Sequence, residues 1–200
     1  MTLAERLRRA LEDGVRHADG YLGGDTRDLA QRYPQGFTPA AVLVPIVERP
    51  EPGVLLTLRN AAMRQHAGQI AFPGGRMDPG DDGPVAAALR EAEEEIGLPR
   101  AAVQVIGTAD RYQTGTGYEV TPVIGLIAPD TALVPHPGEV ADIFEVPLDF
   151  LLDPRNHGRH AMEWEGRERR YFEIMWNDRR IWGATAGMIV NLSRRLATIA

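Results

Sequence analysis

The chain has 200 residues, of which 44% are hydrophobic and 25% charged, with a formal net charge of −6 and no cysteine. That is enough apolar material for the core of one domain, and the negative charge argues against broad binding to nucleic acid or to an anionic membrane, leaving a small molecule as the expected partner. Without cysteine there is no disulfide, thiolate nucleophile or cysteine zinc site; the start lacks the apolar core of a secretory signal, and no apolar run is long enough to span a bilayer, so a cytoplasmic protein is expected.

In chain order, Leu3, Leu7, Ala10 and Leu11 at helical spacing predict an amphipathic helix over residues 2–12, an accessory within an N-terminal extension (1–36) to a main domain (37–200). Residues 40–47 and 54–58 read as buried strands on either side of a turn at Glu51-Pro52-Gly53. Residues 69–72 read as a short strand that delivers the chain into a tight glycine turn, Phe72-Pro73-Gly74-Gly75, and then into a helix. A strand pair follows over 103–110 and 120–127 across the Gly115–Gly117 tip. The remainder predicts a strand over 142–146, a helical turn over 148–152, a hairpin of 170–176 with 179–182, and a final helix over 185–196. Interleaved in this way, the elements suit an α+β fold, an α/β/α sandwich around a mixed sheet. The aromatic stretch from Tyr171 to Trp182 suits either a lid over the pocket or the seam of a homodimer.

The helix after the glycine turn carries Glu91, Glu93, Glu94 and Glu95 with Arg90 as the local cation. At 100° per residue, Glu91, Glu94 and Glu95 share one face, while Val85, Ala88, Leu89, Ala92 and Ile96 form an apolar stripe on another. Each like-charge pair at i,i+3 or i,i+4 costs roughly 0.2–0.5 kcal/mol, and a divalent cation would reverse that sign. Asp81 or Asp82 is placed to cap the helix, Pro84 is tolerated in its first turn, and Gly97 stands where a left-handed residue ends it before Pro99.

These residues resemble the signature of the Nudix hydrolases: Gly, five residues, Glu, seven residues, then Arg-Glu-apolar-x-Glu-Glu-x-Gly-apolar. Arg90 through Leu98 match it residue for residue. Counted from Gly75, the expected glutamate falls on Asp81, and the gap to Arg90 is one residue longer than the pattern. A second segment, LLTLRNAAMRQHAGQIAFPGG over 55–75, resembles the motif of the coenzyme A pyrophosphatase branch. Leu55, Leu56, Thr57, Arg59, Arg64, Gly68 and Phe72 to Gly75 fit it; Asn60 departs, standing where Ser or Ala is expected.

The resemblance implies hydrolysis of the diphosphate of coenzyme A to 4′-phosphopantetheine and 3′-phospho-AMP, with Mg²⁺ or Mn²⁺ held by hard oxygen ligands. It assigns the metal to Glu91, Glu94, Glu95 and the carbonyl of Gly74, and gives Arg90 the task of positioning a glutamate. Glu139 is the candidate for base or further ligand, in competition with Glu119 and Glu145. Arg59 and Arg64 are the natural phosphate cations, with His66, Gln69 and the close-approaching backbone of Gly75 beside them, although Arg59 serves equally as a structural ion-pair partner. Two other readings stand beside this one: a Nudix enzyme for ADP-ribose or NADH, and a non-catalytic nucleotide sensor. His157 and His160 lack a third zinc ligand at recognisable spacing, and Gly115-Thr116-Gly117 lacks the context of a dinucleotide fingerprint.

Overall fold

Strand alternation divides the core into two layers. The computed structural model describes residues 1–13, 32–63, 66–164 and 166–198. At its centre β1 (Thr38–Val47) and β7 (Tyr118–Ile127) run parallel, paired from Thr38 with Tyr118 to Val47 with Ile127. Ala40, Val44 and Ile46 face one side with Val120, Ile124 and Leu126, while Ala41, Leu43 and Val47 face the other with Val123 and Ile127. Strands apolar on both faces must be covered on both.

The second face is covered by α2 (Gly83–Ile96), which buries Ala87, Ala88, Ala92 and Ile96 there. The first face takes α1 (Leu3–Asp13), α3 (Leu148–Leu152) and α4 (Ala184–Ala197). It also takes a three-stranded sheet of β9 (Gly158–Trp164), β10 (Arg167–Trp176) and β11 (Arg179–Trp182), which inserts Ile174 and Ile181. The expected sandwich around a mixed sheet is what the chain forms. Among the described residues no helix is long and apolar enough to cross a membrane.

The free edge of β1 is shared between two partners, and this positions the site. Ile46 and Val47 pair with Val54 and Gly53 of β2 (Gly53–Arg59), whereas Ala40, Ala41 and Val42 pair with Arg76, Gly75 and Gly74 of β4 (Gly74–Arg76). Between them the Leu43 N–H donates to the Pro73 carbonyl at 2.9 Å. β2 therefore parts from β1 and pairs instead with β8 (Val140–Pro147) and β3 (Ile70–Ala71). On the far side of β7 lie β5 (Gln104–Thr108) and β6 (Tyr112–Gln113).

Three features differ from the sequence reading. The Phe72–Gly75 segment is not a tight turn but a bend at Pro73 that leads into β4. β9 was not expected, because Arg159, His160, Ala161, Met162 and Glu163 are all exposed and show no period-two burial to detect. α1 is no mere accessory: Leu7 and Ala10 are fully buried in the main core. Arg195 of α4 donates to the Ala10 and Leu11 carbonyls at 3.2 Å each and pairs with Asp110, satisfying groups that a helix C-terminus leaves open. Leu7→Ala should therefore destabilise the protein by about 2–5 kcal/mol in urea denaturation, against less than about 0.5 kcal/mol for the exposed Arg8→Ala; equal effects would show that α1 does not pack as described.

Candidate active site

The Glu95 carboxylate sits in the gap where β2 and β1 part. The residue is 3% exposed. Its Oε2 accepts the Gly74 N–H at 3.1 Å, and its Oε1 lies 3.4 Å from Arg59 Nη1 at the end of β2. Burial raises its pKa to about 7; the Gly74 N–H and Arg59 pull the other way, while the charges of Glu91 and Glu139 add to the rise. Burial likewise raises Glu91, against the pull of Arg90 and with a push from Glu94 and Glu139. Glu91, Glu95 and Glu139 thus form one electrostatic group drawn from a helix and a distant loop.

Glycines 74 and 75 make room for this group. A Cβ on Gly74, whose φ is +154°, would fall 2.4 Å from the Ala41 carbonyl oxygen, and a Cβ on Gly75 would fall 2.7 Å from the Glu91 carboxylate. Neither position tolerates a side chain without displacing β1 or the glutamate.

Arg90 holds the helix face together. Its Nη1 donates to Glu91 at 2.9 Å and to Glu94 at 3.2 Å, its Nε and Nη2 grip Asp81 at 3.0 and 2.9 Å, and Nη2 also reaches the Arg76 carbonyl. Asp81 is held down at about 2, first by the Arg90 hydrogen bonds and then by the Asp78 N–H. The expected helix cap is therefore corrected: Asp82 occupies the cap position without a side-chain bond, and Asp81 serves Arg90 instead. The chain enters the helix through a tight γ-turn. Asp82 has φ −78° and ψ 69°, and the Gly83 N–H donates to the Asp81 carbonyl at 2.9 Å. Gly97 ends the helix as expected, at φ 64°, with its N–H on the Glu93 carbonyl and the Leu98 N–H on Ala92.

Glu139 arrives through the loop that closes this helix end. Val134 and His136 N–H groups donate to the Ile96 and Glu95 carbonyls at 2.9 and 2.8 Å, and β8 begins directly after Glu139. Its competitors are engaged elsewhere. Glu119 pairs with Arg111 and Gln113, and Glu145 pairs with Arg49 while facing Leu55, near the start of β2 and so remote from Arg59.

Of the phosphate candidates, Arg59 is turned onto Glu95, the ion-pair role, and its buried Nε has no hydrogen-bond partner. His66 and Gln69 meet each other, Nδ1 to Oε1 at 2.8 Å, with His66 in a left-handed conformation at φ 56°. Arg64 lies outside the described residues. Sequence reasoning missed the anchoring of the Glu139 loop by Asn60, whose departure from the motif was the signal.

The donor set fits a hard divalent cation: clustered carboxylates, with burial and mutual repulsion disfavouring the charged forms of Glu91 and Glu95. No three His, Asp or Glu side chains among the described residues converge on a cation position as they stand. The reason is visible, since Glu91 and Glu94 are turned onto Arg90 and Glu95 towards Arg59.

A helix with clustered carboxylates set behind a glycine-rich strand is the layout of this site. Residues 37–164 match the NUDIX domain, and the chain belongs to the Nudix family. Members of the family act on nucleoside diphosphate derivatives and generally use divalent metal ions. The uncharacterized Nudix hydrolase NudL of Cronobacter sakazakii is 46% identical over 165 residues, covering 78% of this chain and 82% of that one. Its namesake in Escherichia coli strain K12 is 45% identical over 157 residues, with coverage of 78% and 82%. A MutT/nudix family protein from Enterococcus faecalis shares the fold at a TM-score of 0.51 and 13% identity, over 99% of this chain and 75% of that one.

Because Glu95 is raised from an ordinary 4.5 to about 7, the folded protein holds a proton that the unfolded chain releases between those values. Stability of the metal-free protein should fall as pH rises through that window, by up to about 3 kcal/mol relative to Glu95→Gln. Parallel urea denaturations in EDTA at pH 5 and pH 8 read this out. A pH dependence unchanged by the substitution would mean that Glu95 does not carry it.

Proposed function

We propose that this chain is a Mg²⁺- or Mn²⁺-dependent diphosphatase that splits coenzyme A and its derivatives into 4′-phosphopantetheine and 3′-phospho-AMP. The carrying observation is that the two sequence motifs meet at one atom group: Arg59 and Gly74, from the 55–75 segment, both engage the Glu95 carboxylate of the Nudix helix. In this reading the domain spans residues 37–200 and residues 1–36 are its N-terminal helical extension.

Glu91, Glu95, Glu94 and the Gly74 carbonyl would hold the metal. When bound it neutralises the diphosphate oxygens and eases deprotonation of the attacking water. Arg90 positions Glu91 and Glu94 from the side, anchored by Asp81. Glu139, on a loop at the edge of the group, accepts the proton of the water whose oxygen forms the new bond to phosphorus. The bond from that phosphorus to the bridging oxygen breaks, and its electrons leave with the departing phosphate. Arg59 and Arg64 would bind phosphate oxygens, with His66 and Gln69 adding hydrogen bonds. Gly75, whose missing Cβ lets the Glu91 carboxylate lie against the backbone, would offer that backbone to the diphosphate.

The test is hydrolysis of coenzyme A with Mn²⁺ or Mg²⁺ beside dephospho-coenzyme A, ADP-ribose and NADH, with products resolved by mass. Coenzyme A should be preferred and dephospho-coenzyme A cleaved poorly. Glu95→Gln should lower kcat by at least about 100-fold, and Glu139→Gln by about 100-fold or more if it takes the proton. Preference for ADP-ribose or NADH would overturn the substrate, and absence of any cleavage would favour a nucleotide sensor.

A further inference from the structure

Asn60 is the residue at which the 55–75 segment leaves its motif, and it makes four hydrogen bonds in two directions. Towards the Glu139 loop, its Nδ2 donates to the Pro137 carbonyl at 2.8 Å and its backbone N–H to the Glu139 carbonyl at 2.7 Å. Towards its own turn, its Oδ1 accepts the Ala62 N–H at 2.9 Å and its carbonyl accepts the Met63 N–H at 3.1 Å. The ladder between β2 and β8 shifts register between Leu58 and Arg59 and resumes with Arg59 opposite Val140, so the Asn60 N–H bond to Glu139 extends the ladder by one pair, and only the side-chain bond to Pro137 reaches beyond it.

Glu139 needs such a hold. Its side chain is 45% exposed, and His136 Nδ1 is 3.9 Å away, too far for a hydrogen bond. Its place beside Glu91 and Glu95 is therefore inherited from the backbone. Serine carries a hydroxyl one heavy atom shorter than the asparagine amide, and alanine has neither donor nor acceptor, so neither reproduces the bond to Pro137 while also accepting the Ala62 N–H.

We infer that Asn60 is a positioning residue, which fixes the Glu139 loop to the turn opening the segment that carries His66 and Gln69. Its effect on turnover runs through Glu139 and so rests on the reading of Glu139 given above. A shift of about 1 Å in a catalytic group costs on the order of 100-fold in rate, so even partial loosening of this loop is readable.

The experiment compares Asn60→Ser and Asn60→Asp in the full chain. The aspartate keeps the Ala62 contact and the shape but cannot donate to Pro137, so it stands in if the serine variant folds poorly. Amide hydrogen exchange should quicken at residues 136–140 by about 10-fold in both variants while the β1 and β7 amides keep their protection. With coenzyme A and Mn²⁺, kcat should fall by about 10-fold and KM by less than about 2-fold in either direction; in a Glu139→Gln background the same substitutions should change kcat by less than about 2-fold. Unchanged exchange at 136–140 would overturn the positioning role. Equal losses in both backgrounds would overturn its route through Glu139. If Glu139→Gln alone leaves kcat intact, it is the reading of Glu139 that fails, and the exchange data still decide whether Asn60 holds the loop.

Discussion

The burial of the Glu95 carboxylate is the constraint around which the molecule is arranged. An isolated carboxylate in apolar surroundings is unfavourable by several kcal/mol unless it is paired or neutralised. Here one backbone N–H and one long arginine contact offset that only in part, and two further glutamates oppose it. The gap between β1 and β2, the bend at Pro73 and the two glycines after it serve to bring a backbone donor to this spot. α2 is fixed along its length for the same end, by apolar packing on one side, by Arg90 on another and by its left-handed Gly97 terminus.

The arginines act as internal counter-ions for the clustered carboxylates. Arg90 spreads its donors over two glutamates, an aspartate and a carbonyl, so its removal would leave several acceptors facing one another. Arg59 differs, in that it holds Glu95 by one long contact and keeps a buried Nε without a partner. The two guanidiniums thus differ in kind: Arg90 frames the carboxylate face by several bonds, while Arg59 touches it by a single long contact.

Much of this was legible in the sequence for definite reasons. Continuous apolar runs marked the central strands, 3.6-residue spacing marked α2, and the Gly97-Leu98-Pro99 sequence marked its end. Arg90 stood out as the local cation among the glutamates, and it pairs with Glu94 one turn on. What escaped was set by tertiary contact. Asp81 looked like a cap because local spacing knows nothing of Arg90's reach across the turn, and β9 carries no burial pattern at all. Asn60 is the instructive case. It registered only as a mismatch, and its purpose emerges when Pro137, 77 positions away, lies against it.

The γ-turn at Asp82 has a consequence for how the chain tolerates changes in length. One added residue inside α2 would rotate everything beyond it by about 100°, swinging Glu95 away from Gly74 and unseating the loop docked on its carbonyl. The three-residue turn ahead of the helix lies outside that register and hands Asp81 to Arg90, so the spacing of the carboxylates is set within α2 alone.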